Sequence, residues 1–226
     1  MVKTQKKEYG FPPRIKFPQV IPHFLEGSDA KALWKEYNGI VEKDYNNNKN
    51  LKVLSIKDIN EVPTIVGSNT FAPVLIYQIL ENQRLRPASL SNIERILEDG
   101  DALNLHGNYY VDLGLVLRSR DNPNKYLANN LTDQLEQRGI NLEDPLLIPP
   151  YSLTLVNDEK SDYGLAFKLR ENAEILEAHQ LIGENHRKRY FKGDEKGLPI
   201  FDKEGNRTLY ARENGLSRLL LIRYFF

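Results

Sequence analysis

The chain contains no cysteine among its 226 residues. Disulfides, thiolate-ligated zinc, iron–sulfur clusters and thiol nucleophiles are therefore excluded. An excess of either charge is also missing: 31 Lys and Arg balance 31 Asp and Glu. A protein dedicated to nucleic acid normally carries a basic excess to neutralise phosphates, so that partner is disfavoured. Neutrality weakens repulsion between molecules, which favours a protein partner or self-association. Long apolar runs are absent. The longest, Leu219–Ile222 and then Tyr224–Phe226, falls far short of the ~20 residues a membrane helix needs. No apolar stretch follows the lysines of Met1–Glu8, so no secretory signal is expected. A cytoplasmic protein without membrane contact is the expectation.

The common catalytic signatures are missing too. There is no G-x-x-x-x-G-K-[ST] and no G-x-G-x-x-G, which disfavours P-loop and dinucleotide chemistry. G-x-S-x-G and H-E-x-x-H do not occur, which disfavours a nucleophile-elbow hydrolase and a zincin. No cofactor is expected.

What is present is a globular mixture, 40% hydrophobic and 27% charged. Residues 1–27 read as an extended basic arm. Pro12, Pro13, Pro18 and Pro22 oppose helix, and Tyr9, Phe11, Phe17 and Phe24 alternate with Lys and Arg. Such an arm docks on its own domain or on a partner. Residues 28–226 read as one α+β domain, with a possible subdivision near 149–150. Its N-terminal half is helical, one βαβ-like unit follows, and the C-terminal strands are mainly antiparallel.

Apolar spacing predicts helices over 28–44, 68–83, 90–99 and 122–138, the last with Pro123 at its first position. Strands are expected over 51–59, 109–118, 145–148, 152–156, 163–170 and 217–226. Residues 173–178 fit a strand or a short helix, and 183–197 a charged loop. In 109–118, alternation puts Tyr109, Val111, Leu113, Leu115 and Leu117 on one face. Tyr110, Asp112, Gly114, Val116 and Arg118 fall on the other. Strand, helix and strand over 109–148 predict a right-handed parallel crossover. A hairpin is expected from 199–202 and 207–212. Within it, Phe201–Tyr210 resembles one unit of the YD/RHS-type β repeat, which implies the same hairpin and carries no function over.

Three groups of residues carry candidate chemistry. Asp112 is a carboxylate inside an apolar strand, where it needs a partner or an edge. It is a candidate general base or metal ligand with His106; the alternatives are a solvated sheet face, or an ion pair with Arg118 or another base. His179, Glu184 and His186 form a candidate metal edge. Arg187, Lys188, Arg189, Tyr190 and Lys192 are a candidate binding stretch in which charge grips phosphate and the aromatic stacks on a base. The leading expectation is a non-enzymatic binding or accessory protein that acts through its surface. The alternatives are a metal-dependent hydrolase or nuclease using Asp112 and histidines, and nucleic-acid binding through 186–192.

Overall fold

A computed structural model of the chain describes residues 27–59, 62–65, 70–87, 110–177, 209–210 and 215–222. Within them, helices occupy the N-terminal part: α1 (Gly27–Asp44), α2 (Asn48–Leu54) and α3 (Phe71–Asn82). A short antiparallel hairpin of β1 (Ile56–Ile59) and β2 (Val62–Ile65) separates α2 from α3. α1 forms where the helical period is clean. Leu33, Tyr37 and Val41 recur every four residues and are all buried. Asp29 in its first turn and Lys43 in its last both suit the helix dipole.

The strand expected over 51–59 is helical in its first half. Asn47 decides this, because its side chain accepts the Asn50 N–H at 2.8 Å and caps a helix that starts one residue later. Asn50 and Leu54, one turn apart, then both point inward. Tyr37 of α1 closes the far end by donating from its hydroxyl to the Leu54 carbonyl at 3.0 Å.

Beyond residue 109 the described residues form strands around one helix. β3 (Tyr110–Leu117), α4 (Lys125–Glu136) and β4 (Leu146–Ile148) come first. A single 3-10 turn, Pro150–Ser152, leads into β5 (Leu153–Asn157) and β6 (Leu165–Leu169). β7 (Leu176–Glu177), β8 (Leu209–Tyr210) and β9 (Leu216–Ile222) complete the set. A five-stranded sheet has the order β7-β4-β3-β9-β8, with every pairing antiparallel. β5 and β6 pair separately as an antiparallel hairpin. The class is α+β. The expected C-terminal strand sits inside the sheet, as β9 between β3 and β8.

The parallel crossover does not form. β3 and β4 pair antiparallel, with Leu117 opposite Leu146, so the chain returns to the end of the sheet that it left. The reason is how α4 is launched. Arg118 donates its backbone N–H to Gly215, and Leu216 donates to Pro123. The Asn124 carboxamide donates to the Leu216 carbonyl at 2.9 Å. These bonds hold the start of α4 beside the start of β9, where β3 ends, instead of letting the helix run back along β3. They also explain why Pro123 is not the first helical residue. Its carbonyl is taken by Leu216, and Asn124 turns left-handed (φ 61°) before the helix begins at Lys125.

One buried cluster joins α1, α3, α4, β3 and the β5–β6 hairpin, taking in Leu33, Tyr37, Ile79, Leu115, Leu131 and Leu165. Phe71 of α3 stacks on Phe167 of β6 with ring centroids 4.8 Å apart. The opposite face of β3 is covered as well, since Val116 is fully buried. No helix among the described residues is long and apolar enough to cross a membrane.

A two-stranded sheet exposes two rows of backbone groups, and here side chains close them. Gln134 of α4 donates to the Phe167 carbonyl and accepts the Leu169 N–H, both at 2.8 Å, in place of a neighbouring strand. On the other edge, Arg170 donates to the Leu153 carbonyl and Tyr45 to that of Leu155. Gln134→Leu keeps the bulk and deletes both bonds. It is expected to cost about 1–3 kcal/mol in urea denaturation and to increase aggregation on refolding, because the β6 edge is then open.

Of the sequence expectations, the helix over 90–99 lies outside the described residues. So do residues 1–26 of the arm, the loop over 183–197, and all of the hairpin over 199–212 except Leu209 and Tyr210.

Candidate functional site

β3 carries the one site candidate from the sequence that falls within the described residues. Along β3 and β9 the partners run Asp112 with Leu220, then Gly114 with Leu219, so Leu113 is an extra residue and the strand bulges there. The bulge changes which way Asp112 faces. Arg218 lies opposite Leu115, which puts the two on one face, and Leu115 belongs to the buried cluster. The Asp112 carboxylate meets Arg218, with Oδ2 accepting from Nε at 2.6 Å. Asp112 therefore shares the face of Leu115, whereas unbroken alternation puts it on the opposite one. Its partner is Arg218, not Arg118, and neither a solvated face nor an edge accommodates it.

The second carboxylate oxygen is also engaged: Oδ1 accepts the Gly114 N–H at 3.1 Å. The side chain retains 18% of its exposure, and that of Arg218 retains 25%. Burial raises the Asp112 carboxyl above the usual carboxylate range, while the Arg218 charge, the Arg218 hydrogen bond and the Gly114 N–H pull it down. Burial has the larger effect. Arg218 thus offsets a penalty that the fold has already imposed on the carboxylate.

Tyr77 of α3 is the next nearby titratable group. Its hydroxyl is pushed up to about 12, first by burial and then by the charge of Asp112. Tyr151 of the 3-10 turn lies beside it, with ring centroids 6.3 Å apart, and donates to Glu174 Oε2 at 2.8 Å. Burial raises the Tyr37 hydroxyl further still. The phenols of Tyr77 and Tyr37 hold their protons at a pH where an unfolded tyrosine, near 10, has lost its own. In that window the unfolded chain binds fewer protons than the folded one, so stability falls as pH rises. Urea midpoints are expected to drop steeply above about pH 10. Tyr37→Phe is expected to lose about 1 kcal/mol at neutral pH, through the missing bond to Leu54, and to flatten the alkaline drop.

Arg218, Tyr77, Tyr151 and Glu174 were not among the sequence candidates. A signal existed for Arg218, the only charged residue in the apolar run Leu216–Ile222. A cation inside one apolar strand calls for a carboxylate inside its neighbour. Of the other candidates, His106, His179, Glu184, His186, Arg187, Lys188, Arg189, Tyr190 and Lys192 lie outside the described residues. Among the described residues, no group of three or more His, Asp or Glu could hold a metal ion.

Two open clefts lie on the surface of the described residues. One, of about 320 Å³, lies between α1 and α3 over Ile40, Leu75 and Ile79. Its rim is already paired, with Arg170 bonded to Glu81 at 2.5 Å and Tyr45 to Leu155. The other, of about 440 Å³, lies at the start of α4 between Asn122, Lys125, Asn129 and Asp162. Two of its wall groups are bonded to each other, Tyr163 donating to Asn124 at 3.2 Å.

No protein-family model matches this chain, and neither a curated protein nor a solved structure matches it.

Proposed function

We propose that the protein is a non-enzymatic binding or accessory protein that acts through its surface in the cytoplasm, with another protein or a second copy of itself as partner. The supporting observation is the state of Asp112, the foremost catalytic candidate. Both of its oxygens already accept hydrogen bonds, from Arg218 and from Gly114. A general base must reach the proton it removes from a substrate, and a metal ligand here would bring a cation up against the guanidinium that already neutralises the carboxylate. The Asp112 carboxylate instead ties β3 to β9 across the bulge. The even balance of charge and the basic aromatic composition of residues 1–27 agree with a surface role.

The test pairs two variants, each first shown to be folded by circular dichroism. Sedimentation velocity is expected to show association, with itself or with an isolated partner, by the full chain and by Asp112→Asn alike. A variant lacking residues 1–27 is expected to lose that association. A metal-dependent hydrolysis performed by the parent and abolished in folded Asp112→Asn would overturn the proposal in favour of a hydrolase.

A further inference from the structure

No further inference is drawn: the strongest candidate, the polar cleft of about 440 Å³ at the N-terminus of α4, rests on a helix N-terminus with no second observation that points to a ligand.

Discussion

Gly114→Ala is expected to destabilise the protein by about 3–5 kcal/mol, read as a drop in the urea midpoint with an unchanged slope. Two costs add. Gly114 has φ +124°, a conformation that side-chain-bearing residues rarely adopt, and such strain costs about 1–3 kcal/mol. A Cβ there would also lie 2.4 Å from the Ile148 carbonyl oxygen and 2.9 Å from Pro149 Cα. Both are backbone atoms, and Ile148 is held in register opposite Leu115, so neither can yield cheaply. Overpacking of this kind adds about 1–3 kcal/mol. Gly139 supplies the control. It also has positive φ (+76°) but open space where its Cβ would go. Gly139→Ala is therefore expected to lose only about 1–2 kcal/mol. Equal losses at the two positions would show that contact with β4 contributes nothing.

The same glycine shows what could be read from the sequence. The limits of β3 and the stripe of α1 follow from local periodicity, and both are close to their expected places. So is the hairpin of β5 and β6, whose polar turn interrupts two apolar runs. The face on which Asp112 lies depends on the extra residue at Leu113. Period-two alternation carries through that point without a break, and an isolated glycine in a strand was the only local mark of a bulge. α2 departs from its expected strand for a related reason. Leu51, Val53 and Ile56 suit a short strand, and one side-chain bond from Asn47 tips the first half of the segment into a helix. The direction of β4 has no local signal at all. It follows from bonds between residues 118–124 and 215–216, nearly a hundred positions apart in the chain. Asp112 stood out as a carboxylate in an apolar strand, but its partner is 106 residues away.

Arg218→Met should expose the balance on which that pair rests. Removing the guanidinium leaves a buried carboxylate with only the Gly114 N–H, while the burial that raises its pKa remains. Losing one partner of a buried pair typically costs about 3–5 kcal/mol. With both side chains about a fifth to a quarter exposed, some water reaches them, and about 2–4 kcal/mol is expected at neutral pH. The loss should depend on pH, with a defined sign. In the variant, folded Asp112 holds its proton to a higher pH than unfolded Asp112 does. Between the two values the folded state binds more protons, so stability falls as pH rises and is regained in acid. Asp112→Asn should behave differently. A carboxamide has one acceptor oxygen where the carboxylate has two, so the bond from Gly114 or that from Arg218 is lost and the guanidinium loses this counter-charge. A loss of about 1–3 kcal/mol is expected, without the pH dependence that a titrating carboxyl brings. Adding Asp112→Asn to Arg218→Met should then recover the pH-dependent part of the loss, a coupling that urea titrations of all four proteins at two pH values would measure. Any loss left at both pH values belongs to other contacts of Arg218. A purely additive, pH-independent cycle would mean that Asp112 does not depend on Arg218 for its charge, and would reopen its assignment as part of the frame.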